Sequence, residues 1–524
     1  MLAAKARHRL EPECVRMTAN TRRPMWILCR LVCILAALLV MSHGDWGAVP
    51  TSAQSAAVTW SRPVNLSNTL QGSGDPAIVA DSYGDVHVFW SEDMGGQPQG
   101  PEGQFSGGNS IFYTRWDGES WTAPIDILSV PDDYIADFVQ VVVDAENRLH
   151  AVWTGQSSLY YSSAPAEMAY SARAWSKPVV LANNSARSAW MISIVADTAG
   201  TLHVAYATRG SEVGVYYTRS TDGGMDWGFP IKLSAVPDSL EDSFSDVRIV
   251  ADSTGRLHVV WQTNQKAGYG QAIYYARSPD GGRNWGPPVR LGYREPDDFD
   301  VGYPYLVVRG ESELHLIYNA GSRPVGRYHR ISRDGGETWG NPEQILTDME
   351  GINGYVVPLV DGAGQMHLII DMRTRDTQVV GLYYARWLET DWSPVVPLAT
   401  ESPYGPSAHY TAAAVRLGNE LHVVWTQLRF GEIWYLRGTV PGVTPEPTLE
   451  RQFPATPTPS SFTASGLSQS PMPASQPTAQ PVDAAIPASA SRLTNNLVLY
   501  SLGVPFLLVL GTILGALIRA RRHS

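Results

Sequence analysis

The chain has 524 residues and a net charge of −11; only 17% of its residues are charged, and Gly, Pro, Trp and Tyr are abundant. That acidic balance, with no Lys/Arg stripe interleaved with aromatics, excludes a nucleic-acid surface, because phosphate binding needs concentrated positive charge. All three cysteines, Cys14, Cys29 and Cys33, precede the expected folded region, which therefore has neither a disulfide nor thiol chemistry.

At the N-terminal end, Arg22 and Arg23 precede an apolar stretch, residues 25–41, interrupted by Arg30. Its uninterrupted part has the length of a signal-peptide core, and Ala53-Gln54-Ser55 before Ala56 fits a cleavage site. Residues 1–55 are read as an N-terminal extension with a signal peptide; an uncleaved signal anchor is the alternative.

Residues 56–440 are dominated by a repeat, which decides the expected fold. One element reads Asp-x-x-Gly-x-x-His-Val-x-Trp, with drift, and occurs seven times, around His87, His150, His203, His258, His315, His367 and His422. A second element, Trp-x-x-Pro-x-x-Leu, begins at Trp60, Trp121, Trp175, Trp227, Trp285, Trp339 and Trp392. It too occurs seven times, shifted by one unit: a copy precedes the first histidine and none follows the last. The offset predicts a ring in which the N-terminal strand, residues 56–66, completes the last blade and removes an exposed sheet edge. Each unit reads as four strands: an apolar run, the histidine strand, a Tyr-rich strand and the tryptophan element. The expected fold is an all-β, seven-bladed propeller of four-stranded blades.

After the propeller, residues 441–495 are rich in Pro, Ser, Thr and Ala and hold too few large apolar residues for a core. They read as an unstructured stalk. Its ends would lie roughly 40 Å apart as a coil and ~170 Å apart as stretched polyproline. Residues 496–518 are almost all apolar, the length of a transmembrane helix. Arg519, Arg521 and Arg522 lie in the tail, 519–524, and make it the cytoplasmic end by the positive-inside rule. The expected localisation is a single-pass membrane protein with its propeller on the extracytoplasmic side. Its expected partners are the membrane, through the C-terminal helix, and a glycan or protein ligand, with no nucleic acid.

Three turns carry a sharper signature, Ser-x-Asp-x-Gly-x-x-Trp, through Asp222, Gly224 and Trp227, through Asp280, Gly282 and Trp285, and through Asp334, Gly336 and Trp339. The Asp can accept turn amides, the Gly supplies positive φ and the Trp can pack between sheets. Asp117-Gly118 before Trp121 is a degenerate copy. The signature resembles the Asp-box, or bacterial-neuraminidase repeat, of the sialidase-like propellers. The resemblance covers residues 56–440 and implies that the Asp-boxes are structural and lie opposite the functional face. The family's sialidases have six blades, which is the alternative blade count.

The repeated histidines are read as structural, bonding backbone or the aspartate of their own turn, because a residue made once per blade serves the blade. No metal and no cofactor are expected. Candidate ligand residues come from the loops of the opposite face: Asp132, Asp133, Asp238, Glu241, Asp242, Asp297 and Asp298, with Trp190 and Tyr404 beside them and Arg209, Arg373 and Arg429 as scattered cations. Carboxylates with aromatics suit sugar hydroxyls and sugar faces.

The resemblance further implies, for a sialidase, three arginines on the substrate carboxylate, an Asp acid/base and a Tyr–Glu nucleophile. Where the first arginine belongs, this chain has Asp75, in Gly74-Asp75-Pro76. Seven-bladed Asp-box relatives also include glucan hydrolases that use paired aspartates, so a glycoside hydrolase is the alternative to a binding propeller, and no catalytic residue is assigned.

Overall fold

The computed structural model describes residues 57–68, 72–94, 109–128, 135–155, 158–183, 189–208, 212–234, 243–264, 270–295, 300–321, 326–400, 408–427 and 431–451. They form seven antiparallel sheets arranged as a closed ring of blades. The inner strands of blades I to VII are Ser73–Ala80, Asp137–Val143, Ala189–Ala196, Ser243–Ala251, Asp300–Arg309, Met349–Val360 and Ala408–Arg416. Each lies beside the inner strand of the next blade, and the seventh returns to the first. The six-bladed alternative is thereby set aside. Among the described residues the only helices are two single 3₁₀ turns, Ala166–Met168 and Ala172–Ala174, in blade II.

Ring closure follows the one-unit offset in the sequence. Blade VII has three strands of its own, Ala408–Arg416, Glu420–Gln427 and Glu432–Thr439. Its outer edge is covered by Thr59–Trp60 and Val64–Asn65, antiparallel to Glu432–Thr439. The Trp60 ring rests edge-on against Tyr384 of blade VI, with centroids 5.2 Å apart. Beyond blade VII, residues 441–451 run along the turns of blades VII and I, where Glu446 N donates to Leu417 O and Leu449 N to Ser82 O, each at 2.9 Å.

The histidine strands are buried on both faces because each blade is packed between two others. In blade I, Val86, Val88 and Trp90 pack back onto Val424, Ile433 and Tyr435 of blade VII, while Phe89 packs forward onto blade II. His87 shares the forward face. Its Nδ1 meets the Tyr113 hydroxyl at 2.8 Å and its Nε2 meets Asp81 Oδ2 at 3.2 Å. The other Asp81 oxygen accepts the Asp85 amide and so closes the turn. His150, His203, His258 and His367 repeat the arrangement with Tyr161, Tyr217, Tyr275 and Tyr384 and with the aspartate of their own turn. In blade V, His329 replaces the tyrosine and Glu313 the aspartate; in blade VII, Glu420 takes the acid's place beside His422 and Tyr435. Burial pushes the pKa of His258 down to about 4 and that of His329 to about 3, and lowers those of His150, His203, His315, His367 and His422. These rings are neutral at ordinary pH, with both nitrogens of each repeat histidine engaged inside its blade. The acid of the turn was expected as a partner; the cross-strand tyrosine was not.

That tyrosine also joins one blade to the next. Trp227, Trp285 and Trp339 stand edge-on to Tyr161, Tyr217 and Tyr275 of the preceding blade, at 5.1, 4.8 and 5.2 Å. Trp121 on Tyr435, Trp60 on Tyr384 and Trp392 on His329 continue the series around the ring. Between blades I and II the contact is Phe89 with Trp175.

The Asp-box glycines serve this joint. Gly224, Gly282 and Gly336 have φ of 91°, 79° and 81°, and a Cβ on any of them would collide with the hydroxyl of Tyr161, Tyr217 or Tyr275. Asp222, Asp280 and Asp334 accept amides within their own turns, and the amides of the three glycines are bonded by Ser220, Ser278 and Ser332. Each Asp-box thus combines turn hydrogen bonds with close inter-blade packing.

Two outcomes test this joint. Trp60→Ala removes a half-buried ring at the closure and should lower unfolding free energy by about 2 kcal/mol in denaturant melts; deleting residues 57–66 should cost more. An unchanged midpoint for the deletion would show that the ring closes without this strand. Gly282→Ala combines left-handed strain with overpacking and should cost about 2–4 kcal/mol, partly recovered by adding Tyr217→Phe, which withdraws the oxygen it strikes.

Candidate functional site

Every inner strand breaks register with its neighbour near its start. The breaks fall between Gly74 and Ala77, Asp137 and Gln140, Trp190 and Ile192, Ser245 and Arg248, Gly302 and Tyr305, Gly351 and Val356, and His409 and Ala412. At these bulges Asp75, Phe138, Met191, Asp246, Tyr303 and Tyr410 have φ between 48° and 55°. Left-handed backbone at non-glycine residues is strained, and bulges re-aim side chains beside functional sites. Each of these six, and Tyr355 in blade VI, stands twelve residues before the repeat histidine of its blade.

The bulges surround a cavity of about 220 Å³ lined by the inner strands of all seven blades. Asp75, Phe138, Met191 and Tyr410 line it at the bulges themselves, and Arg248, Tyr305, Tyr355 and Thr411 complete the part that carries chemistry. Tyr355 is a hub: Tyr303, Tyr305 and Tyr410 lie against it with centroids 5.6, 6.3 and 5.4 Å away. Arg248 stacks over the Tyr305 ring at 4.5 Å and donates from Nη2 to the Tyr305 hydroxyl at 2.9 Å. Burial disfavours its charge, yet the neighbouring Tyr305 and Asp246 raise its pKa above the ordinary value, so it stays a cation.

Asp75 and Asp137, from adjacent blades, form a hydrogen-bonded carboxyl pair. Burial, and then the charge of Asp137, push the Asp75 carboxyl well above the usual carboxylate range. Burial also raises Asp137, opposed by the hydrogen bond it receives from Asp75. Each carboxyl disfavours ionisation of the other, so Asp75 favours its protonated form more than a free carboxyl does. The tyrosines are un-ionised as well: burial raises Tyr303, Tyr355 and Tyr410.

Most residues expected from sequence to bind a ligand fall elsewhere. Asp132, Asp133, Asp238, Glu241, Asp242, Asp297, Asp298, Tyr404, Arg209 and Arg429 lie outside the described residues. Trp190 sits in the inner strand of blade III, immediately before its bulge. Arg373 is bound by its Nε to Glu350 at 2.8 Å and does not line the cavity. Among the described residues the cavity wall holds a single arginine, Arg248. Asp137, Arg248, Tyr355 and Tyr410 were missed. For Tyr355 and Tyr410 the signal was a tyrosine twelve residues before the repeat histidine; Asp137 and Arg248 lie off that offset and carried no such signal.

Comparison with known proteins agrees with this architecture. The family described as "BNR repeat-like domain" matches residues 48–316. The chain is thus a sialidase-like propeller in fold, and it belongs to the BNR repeat-like family. No curated protein matches it. Among solved structures it is similar to the BP39L lectin from Burkholderia pseudomallei, with 14% identity, TM-score 0.52, and coverage of 72% of this chain and 99% of that one. It is also similar to a polysaccharide lyase, PL25 ulvan lyase, with 11% identity, TM-score 0.50, and coverage of 72% and 96%. The NanB sialidase from Streptococcus pneumoniae matches with 13% identity and TM-score 0.42 over 76% of this chain and 72% of that one.

The raised pKa of Asp75 gives a stability signature. Asp75 has a folded pKa raised above its unfolded value near 4, so its contribution is fully present below about pH 4 and is lost as pH rises through the folded value. Asp75→Asn keeps a donor toward Asp137 without a titrating proton. Its melting temperature should exceed that of wild type at neutral pH, and the gap should close as pH falls toward 4. A gap independent of pH would mean that the pair holds no proton.

Proposed function

We propose that this protein is a carbohydrate-binding propeller, held at a membrane by residues 496–518 with its blades on the extracytoplasmic side, and that it binds its ligand at the ring axis. The observation that carries the reading is the axial cavity, where the aromatic rings of Phe138, Tyr305, Tyr355 and Tyr410 stand beside hydrogen-bonding groups of Asp75, Thr411 and Gln140. Rings pack against the apolar face of a sugar, while carboxyl and hydroxyl groups bond its edge. Sugar recognition also fits the lectin and the lyase among the structures of similar fold, though at such low identity their ligands do not transfer.

A sialidase mechanism fits the cavity poorly. An anionic sugar needs concentrated positive charge, whereas the single arginine here is already stacked on Tyr305 and neighboured by Asp246. Nor does the carboxyl pair suit a two-carboxylate glycosidase. Those groups stand roughly 5–10 Å apart across the scissile bond, and Asp75 and Asp137 touch.

The test is a glycan array probed with the purified full-length chain, run beside a fluorogenic sialoside assay. Array binding that falls at least about tenfold in Tyr410→Ala, with sialoside turnover at background, is expected. Rapid sialoside turnover, or array binding indifferent to Tyr410, would overturn the reading. Protease added to intact cells should release the propeller; protection would refute the extracytoplasmic placement.

A further inference from the structure

The shape of the axial cavity bears on which part of a glycan it holds, an inference that rests on the carbohydrate reading above. We propose that the site recognises chain ends: a single terminal sugar residue enters along the ring axis, and the same sugar at an internal position of a chain is refused.

Three features of the site point there. The first is the wall. Inner strands of all seven blades line the cavity, and each inner strand lies beside the next around the whole ring. Among the described residues there is thus no slot between blades through which a chain could run sideways. An internal sugar is bonded to a neighbour on each of two sides, and both neighbours need an exit. A terminal sugar needs one.

The second is the change of lining along the axis. At the bulges the lining is mixed, with Asp75, Phe138, Tyr355, Tyr410 and Thr411. Two or three residues further along the same strands, roughly 7–10 Å, it is aliphatic, with Ile78, Val141, Val357 and Ala413. A sugar hydroxyl at that depth would give up its water and receive no bond from these side chains in return. Toward the far ends of the strands of blades I, VI and VII lies a second cavity, between Ala80, Val360, Val415 and the segment at Glu446, and it shares no lining residue with the first. The axial site is therefore a pit with a polar level above an apolar floor, and a chain is not threaded through it. Its volume of about 220 Å³ is below the roughly 300–1,000 Å³ of sites that enclose drug-sized ligands, which suits one sugar ring.

The third is Thr411. It is 3% exposed and lines the cavity, and its Oγ1 has no hydrogen-bond partner among the described residues. A buried hydroxyl without a partner is costly. Thr411 stands one residue after Tyr410, at the polar level of the pit, where a hydroxyl of the inserted sugar would satisfy it while the carbon face of the ring meets the tyrosines.

The experiment uses the purified full-length chain and an array of glucose, galactose, mannose, xylose and N-acetylglucosamine. Each sugar is displayed twice, once as the exposed terminal residue of a linker-bound disaccharide and once with that residue capped by one further, different sugar. Capping should lower the signal of the sugar that binds at least about tenfold, and the methyl glycoside of that sugar should compete the signal away. Thr411→Val keeps the side-chain shape without the hydroxyl. It should weaken binding by about tenfold while the melting temperature holds or rises, because an unpaired buried group has been removed. Signal that survives capping, affinity that grows with chain length, binding indifferent to Thr411→Val, or a melting temperature that falls in that variant would overturn the chain-end inference and leave the carbohydrate reading standing. If no sugar is bound in either form, the carbohydrate reading fails and this inference falls with it.

Discussion

The hydroxyl of one tyrosine in each of blades II, III and IV carries the joint to the next blade. In blades II, III and IV it bonds the histidine of its own blade, touches the Asp-box glycine of the next and receives the edge of that blade's tryptophan. A single polar atom thus fixes the tilt and spacing of two sheets. The arrangement works only while the histidine is neutral and its other nitrogen is tied to the turn acid, which burial and the Asp-x-x-Gly turn ensure together. The chain departs from the pattern in places: in blade VII only the turn acid changes, to Glu420, while Tyr435 is kept beside His422. His329 replaces the tyrosine in blade V, where Glu313 replaces the turn acid, and Phe89 meets Trp175 at the one junction where a 3₁₀ insertion carries the chain to the tryptophan.

A rigid ring permits an unusual centre. Seven inner strands converge on one axis, and each is bulged at the same place. The bulges impose left-handed backbone on Asp, Phe, Met and Tyr, residue types that gain nothing from it locally. Strain of this kind persists only where the surrounding structure over-determines it, and the inter-blade joints supply that constraint. The same enclosure buries Asp137 and partly buries Asp75, and burial raises the pKa of both acids, which come from adjacent blades. Stability at the blade joints and chemistry at the axis are therefore linked: a looser ring would admit water and return both carboxyls to independent ionisation.

The periphery and the axis follow opposite sequence rules. Residues that hold the ring recur once per blade, as the histidines, turn acids and tryptophans do. At the bulge, twelve residues before each histidine, the chain reads Asp75, Phe138, Met191, Asp246, Tyr303, Tyr355 and Tyr410. This position has one backbone role in every blade but differing side chains, as expected where the blades jointly build one asymmetric site.

The sequence by itself determined the ring. Seven histidine elements and seven tryptophan elements, offset by one, required seven blades and a closing N-terminal strand, because unpaired edges and half-buried sheets are unstable and only this pairing removes them. It also pointed to a structural role for the Asp-boxes, since a turn motif repeated at one blade position serves the blade. Tertiary structure alone decided what meets at the axis. Asp75 and Asp137 are separated by sixty-two positions in the chain and join only because neighbouring blades bring their bulges together. Asp75 stood out in the sequence as a carboxylate where a sialidase would carry an arginine, but its protonation state was not written there. A pKa is set by desolvation and by the nearest charge, and both are properties of the closed ring.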